Sequence, residues 1–412
     1  MDNATAQPKR ILVRGVNWLG DAVMTTPALL RLREKFPEAH LTMLCPEKLR
    51  DLWLHHPAVD EVATFADGEG LLSVAERLKT WTVRKALKVA VAVPKEEADK
   101  ISADMRIGTI AVTDETGLNP QVERQRGFDL GLVLPNSPRS ALEVFLARIP
   151  QRIGYSRPWR NFFLTQAVPP RANAVKMHKR TLSEINAAIG SSISAPRIAP
   201  PVSAHQIHEY LHLVASLGAN PEPLAPLLFV THEEIAVAKK KFSLDAITGP
   251  IFGLNPGAEY GPAKRWPVEK FITAANEIQK RTNCTWLLFG GKNDVALTSQ
   301  IHSSFVIRHS SLDLAGRTTL RELMALLKSC HVLLTNDTGP MHVAAALGTP
   351  VVVPFGSTSP ELTGPGLPGD PRHRLLKADV PCTPCFLRQC PIDFRCMHSI
   401  SVEQVIQAIL SV

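Results

Sequence analysis

The chain has 412 residues, long enough for two domains of ordinary size, and its 45% hydrophobic and 20% charged content is that of a soluble globular protein. A net charge of +8 and a pI of about 9.2 favour acidic partners, with the charges spread along the chain and not gathered in a tail. No apolar run approaches the ~20 residues of a membrane span, and the N-terminal "MDNATAQPKRILVRG" lacks an apolar signal-peptide core, so the expected compartment is the cytoplasm.

Strands and helices alternate from the start. Ile11–Arg14 reads as a strand, residues 21–36 as a helix, Leu41–Cys45 as a strand, Leu49–His55 as a helix and Val59–Phe65 as a strand. Apolar runs follow at residues 86–93 and 128–134. Residues 94–127 are polar and irregular and read as a surface insertion. The stretch "SAPRIAPPVSA", 194–204, is proline-rich and suits a linker region.

The rhythm restarts at Pro250. Strands are expected at 251–255, 284–290, 332–335 and 351–355, with a short apolar run at 305–307. Helices are expected at 268–281, 294–303, 320–329, 340–347 and 402–410. Such alternation implies parallel sheets covered on both faces, and its repetition implies an α/β protein of two Rossmann-like domains with a cleft between them.

Three loops at strand ends carry chemistry. In "ILVRGVNWLGDAVMTTPALLRL" the first strand ends in a loop with Gly15 and Gly20, and a helix opens near Asp21. Ligands of open α/β sheets bind beyond such strand ends. The Gly-x4-Gly-Asp spacing fits neither a P-loop nor the dinucleotide fingerprint. Asp21 is open to two readings, a helix cap or a ligand-facing carboxylate.

In "GLNPGAEYGPAKRWPVEKF" a strand exits through Gly257, and Lys264 and Arg265 precede a helix start, an arrangement suited to an anion. The plain alternative is a solvated basic pair. In "LLTNDTGPMHVAAALGTPVVVPFGSTSP" a buried strand ends at Asp337, followed by Thr338 and Gly339 at the head of a helix. Free amides there favour a phosphate. Asp337 would be repelled by that phosphate and makes better sense as an acceptor of sugar hydroxyls. His342, one turn on, is either a structural histidine or part of the same site. "FGGKND" ends another strand and places Asp294 where ribose hydroxyls could be met.

Seven cysteines are present, four of them clustered as Cys382, Cys385, Cys390 and Cys396. A cytosolic placement argues against disulfides. The Cys-x2-Cys-x4-Cys-x5-Cys spacing leaves a structural Zn²⁺ or packed, reduced thiols as the two readings.

The stretches "GDAVMTTPAL", "DLGLVLPNSPRSAL", "PGAEYGPAKRWP" and "NDTGPMHVAAALGTPVV" together resemble the ADP-heptose:lipopolysaccharide heptosyltransferases, glycosyltransferase family 9, with the type II enzymes nearest in pattern. The resemblance spans nearly the whole chain. It implies a GT-B fold, with residues 1–200 binding the acceptor and 201–412 the nucleotide-sugar donor.

It also implies inverting transfer of heptose from ADP-L-glycero-D-manno-heptose to the heptose of the lipopolysaccharide inner core, with no cofactor required. On that resemblance Asp21 is the general base and Lys264 the phosphate-binding and catalytic cation. Gly257, Asp294, Asp337, Thr338, Gly339 and His342 serve the donor, and Asn17, Asn136, Ser137 and Arg139 serve the acceptor. The implied partners are inner-core lipopolysaccharide and, peripherally, the cytoplasmic face of the inner membrane. Other readings are a GT-B transferase or epimerase using another sugar nucleotide, and an inactive sugar-nucleotide binder. Nucleic-acid binding lacks an aromatic platform or basic helix to support it.

Overall fold

The computed structural model describes residues 7–82, 127–172, 174–190, 200–307 and 310–412. Two compact units divide the chain: Met1–Gly15 with Phe36–Val168, and Val16–Lys35 with Pro169–Val412. Against the division at residue 200 read from the sequence, Val16–Lys35 and the stretch after Val168 group with the second unit.

In the first unit, strands β1 (Arg10–Arg14), β2 (His40–Pro46), β3 (Glu61–Phe65), β4 (Leu130–Val133), β5 (Gln151–Tyr155) and β6 (Gln166–Val168) form one sheet in the order β3-β2-β1-β4-β5-β6. Every pairing in it is parallel. The central strands are buried along nearly their whole length, as a sheet covered on both faces requires. Leu12, Leu44, Val133, Val144 and Ile149 lie in one of its cores.

In the second unit, β7 (Ile251–Asn255), β8 (Thr285–Leu288), β9 (Ser311–Asp313), β10 (Val332–Thr335), β11 (Val351–Phe355) and β12 (Arg374–Lys377) are ordered β12-β11-β10-β7-β8-β9, again all parallel. Counted from the first strand of each unit, both sheets follow the Rossmann order 3-2-1-4-5-6. The topological switch points therefore fall between β1 and β4 and between β7 and β10. Two tryptophans anchor the second core. Trp266 and Trp286 are 2% and 0% exposed, and their indole N–H groups donate to Ile400 O and Ala275 O, both at 3.1 Å. Burying a ring of that size is worth on the order of 4 kcal/mol.

Several sequence expectations need correction. The helix expected at 21–36 is two helices, Leu19–Met24 and Thr26–Lys35, because Pro27 lacks the amide that a continuous helix would use. Residues 49–53 belong to a 3₁₀ segment, Glu47–Trp53, rather than to an α-helix, and 54–55 form a turn. The edge strand Ser311–Asp313, which follows the apolar run at 305–307, was not expected from the sequence. The expected elements at 86–93, most of the 94–127 insertion and residues 194–199 of the linker lie outside the described residues. Among the described residues no helix is long and apolar enough to cross a membrane.

Candidate active site

The switch point of the second sheet is built by its strand ends. β7 runs into Pro256-Gly257 and β10 into Asn336-Asp337. Asn255 Nδ2 donates to Thr335 Oγ1 at 3.2 Å, tying the two strands. Asn336, fully buried, donates through Nδ2 to Pro256 O at 2.7 Å and accepts at Oδ1 from Trp266 N at 2.9 Å. One amide thus fixes both loops, and Trp266 holds the loop that carries Lys264.

Asp337 is 4% exposed. Its Oδ2 takes the ammonium of Lys264 and the hydroxyl of Thr358, each at 2.6 Å. Its Oδ1 has no protein partner among the described residues, which leaves one oxygen for a ligand hydroxyl. Thr338 begins the helix Gly339–Ala346 without using its side chain as a cap. A Cβ on Gly339 would stand 2.9 Å from Leu19, so glycine lets this helix approach the Leu19–Met24 helix closely.

That approach brings Asp21 to the same place. A Cβ on Gly20 would lie 2.7 Å from His342 Cδ2. Gln206 Nε2 donates to Asp21 Oδ1 at 3.4 Å and to the Tyr210 hydroxyl at 3.1 Å. Burial pushes the Asp21 carboxyl up to about 6; Lys264 and the Gln206 amide oppose that rise, and Asp337 adds to it. A carboxylate with that proton affinity is mostly ionised at neutral pH yet can accept a proton, the property of a general base. The cap reading of Asp21 gains no support, since Trp18 occupies the cap position.

His342 is 5% exposed, and burial lowers its imidazole to about 4, so it is neutral at physiological pH. His205, fully buried, is likewise lowered to about 4 by burial. Its Nδ1 accepts from Ile207 N, so its Nε2 carries the proton donated to Gly364 O.

Asp294 sits beside Gly257. A Cβ on Gly257 would stand 2.5 Å from the Asp294 carboxyl, so these two expected donor residues do meet. Asp294 Oδ2 accepts from Gly291 N at 3.0 Å, and Arg265 lies 3.9 Å from Oδ1. This carboxylate therefore shapes its own loop as well as facing Gly257.

Asn17 is exposed and belongs to the second unit with Asp21. Asn136, Ser137 and Arg139 belong to the first unit, where they follow β4 at its switch point. Ser137 caps the helix Pro138–Leu146 by accepting from Ser140 N. Arg139 pairs with Glu143, which also receives Arg14 at 2.7 Å in a buried pair. Asn136 Oδ1 lies 3.5 Å from Arg160 Nη1. Each of the three thus has a local structural contact.

The four clustered cysteines line one cavity of about 10 Å³, together with Ala263, Gly356 and Thr383. That is room for a single water. A hydrogen bond with Cys396, above all, holds the Cys382 thiol below its ordinary value. Among the described residues no group of three or more His, Cys, Asp or Glu side chains is arranged to hold a metal ion. The segment also braces the Lys264 loop: Ala263 N donates to Arg388 O at 3.1 Å and the Tyr260 hydroxyl donates to Phe386 O at 2.9 Å.

Sequence reasoning missed Gln206, Tyr210, Thr358, Tyr260 and Arg388. Gln206 lies 185 positions from Asp21, and nothing local to it signals the contact. Thr358, by contrast, closes a strand-end loop and follows the rule that such loops face ligands.

Comparison with known proteins fits this geometry. The family described as glycosyltransferase family 9 (heptosyltransferase) matches residues 174–394, more than half of the chain. The lipooligosaccharide heptosyltransferase 2 of Haemophilus ducreyi is 28% identical over 365 residues, covering 86% of each protein. The lipopolysaccharide heptosyltransferase 2 of Escherichia coli is 28% identical over 365 residues, covering 86% of this chain and 85% of its own. The structure of E. coli ADP-heptose lps heptosyltransferase II superposes with a TM-score of 0.68 at 23% identity, covering 98% of both chains. The two Rossmann-like units are those of a GT-B fold, and the chain belongs to glycosyltransferase family 9, the heptosyltransferases.

Proposed function

We propose that this protein transfers heptose from ADP-L-glycero-D-manno-heptose to a heptose of the lipopolysaccharide inner core, with inversion at the anomeric carbon. The observation that carries the reading is the joining of Asp21 to the Lys264–Asp337 pair at a Rossmann switch point. Asp21 takes the proton of the acceptor hydroxyl as its oxygen attacks the anomeric carbon. The bond to the diphosphate breaks, and Lys264 with the Thr338 and Gly339 amides stabilises the charge left on ADP. Asp337 Oδ1 and neutral His342 orient donor hydroxyls, and Gly257 with Asp294 lines the nucleotide side. Asn17, Asn136, Ser137 and Arg139 serve the acceptor. No cofactor enters this scheme.

The test is incubation of the purified protein with ADP-heptose and heptosylated inner-core acceptor, read by mass spectrometry. A gain of one heptose is expected. ADP binding without any gain would redirect the reading to another sugar or acceptor.

The reading places the protein in the cytoplasm, at the inner face of the inner membrane. Support comes from the loop between β5 and β6. Trp159 and Phe162 there are 90% and 82% exposed. Residues 144–168 contain no carboxylate, and of their four arginines Arg148, Arg152 and Arg157 reach solvent while Arg160 is fully buried. Trp159 also holds a left-handed backbone, φ 64°, at a cost of about 1–2 kcal/mol for a bulky residue. An exposed aromatic pair in a basic loop suits the interface of an anionic bilayer. Trp159→Ser with Phe162→Ser is expected to weaken sedimentation with phosphatidylglycerol vesicles by about tenfold or more. Turnover of a short water-soluble acceptor is expected to be unchanged. Equal vesicle binding by the variant would remove this loop from the membrane contact.

A further inference from the structure

The charges around Asp21 do not suit a diphosphate without help. Lys264 is neutralised by Asp337 at 2.6 Å, and Asp21 is an additional carboxylate in the same electrostatic cluster. His342 carries no charge at neutral pH, because burial holds it in the neutral form. Arg265 is set against Asp294. The cluster therefore sums to about one negative charge, and a nucleotide diphosphate adds two or three more. Placing such an anion there requires another cation.

One is at hand. The Arg388 guanidinium lies 5.1 Å from the centroid of the Tyr260 ring, and Lys264 Nζ lies 4.8 Å from the same centroid. Arg388 is exposed and also stands 6.0 Å from the Trp18 ring, three residues before Asp21. Among the described residues its guanidinium has ring contacts and no carboxylate partner.

Its backbone is tied to the Lys264 loop. Arg388 O accepts from Ala263 N at 3.1 Å, and a Cβ on Gly261, φ 152°, would stand 2.4 Å from that same oxygen. The neighbouring Phe386 O receives the Tyr260 hydroxyl. The two cations are thus carried on segments locked together.

We propose that Arg388 is a second cation for the diphosphate of a nucleoside diphosphate ligand, acting with Lys264 beside the Tyr260 ring. The proposal rests on the reading of this site as the donor site and adds to it a residue from the cysteine-rich segment. Arginine suits the role, since its planar fork can meet two phosphate oxygens at once. The aromatic rings hold the guanidinium in place without neutralising it.

The test is calorimetric binding of ADP, AMP and adenosine to the full-length protein and to Arg388→Ala and Arg388→Lys. Arg388→Ala is expected to weaken ADP by about tenfold to a hundredfold, as loss of a charge-assisted contact does. AMP should weaken by much less, and adenosine not at all. Arg388→Lys should recover part of the loss. Equal weakening of all three ligands would mean that Arg388 only packs the loop and would overturn the proposal. So would ADP binding equally well to the wild type and Arg388→Ala, which leaves the donor-site reading standing. A wild-type protein that binds no ADP would sink both. If ADP affinity holds while the KM for acceptor rises, Arg388 belongs to the acceptor and the assignment fails.

Discussion

Asp21→Asn is expected to lower the rate of heptose transfer by about a thousandfold while leaving ADP affinity within about twofold of the wild type. The magnitude is that of removing a positioned general base. The amide keeps the shape of the side chain, and the Lys264–Asp337 pair at 2.6 Å does not depend on it. In the wild type, kcat/KM should rise about tenfold per pH unit below about 6 and level off above, since the Asp21 carboxyl is pushed up to about 6 by burial.

Stability should move the opposite way from activity. The folded carboxyl binds its proton more tightly than the unfolded one, whose ordinary value is 3.8. The folded state therefore holds the excess proton between about 4 and 6. Stability falls as pH rises through that window, and the cost is complete above it, at up to about 3 kcal/mol. Asparagine carries no such cost, so Asp21→Asn should melt a few degrees higher at pH 7.5 and close to the wild type near pH 4. A variant that is less stable at pH 7.5 and also loses ADP would make Asp21 a structural residue. A flat pH profile between 5 and 7 would remove it as the base.

The parts of this protein that could be read from the sequence are those governed by local rules. The runs Ile251–Asn255 and Val351–Phe355 are wholly buried and were legible as strands because nothing polar interrupts their burial. Lys264 and Asp337 stood out as candidate site residues because each follows a strand end in a loop rich in glycine and proline. Their joining into one ion pair was not legible, since 73 positions separate them and only the pairing of β7 with β10 brings the two loops together.

The short edge strands β9 and β12 were missed or displaced for a related reason. Arg374–Lys377 is only partly buried, so it carries a mixed pattern that resembles a loop. Gln206 and Arg388 are harder still. Both act on the site from segments whose local sequence concerns capping or cysteine packing. What the sequence withholds is mostly pairwise contact between distant loops, which is where the charge balance of this site is set.

Lys264→Ala should be the most disruptive single change at the site. Lys264 and Asp337 are both largely buried, and removing the ammonium strands a carboxylate that is 4% exposed with only Thr358 to solvate it. A cost of about 3 kcal/mol in stability is expected. ADP affinity should fall by about a hundredfold, because the diphosphate loses the ammonium that would meet it. The two losses are separable. Lys264→Ala combined with Asp337→Asn removes the stranded charge, so it should regain most of the stability and little of the ADP affinity. If the double variant recovers both, the lysine serves the fold and not the ligand. Asp21 supplies an independent check. Lys264 lowers its proton affinity, so Lys264→Ala should raise the pH at which the residual transfer activity appears. A loss of ADP binding with no movement of that pH would mean that the lysine and the base do not share one electrostatic site.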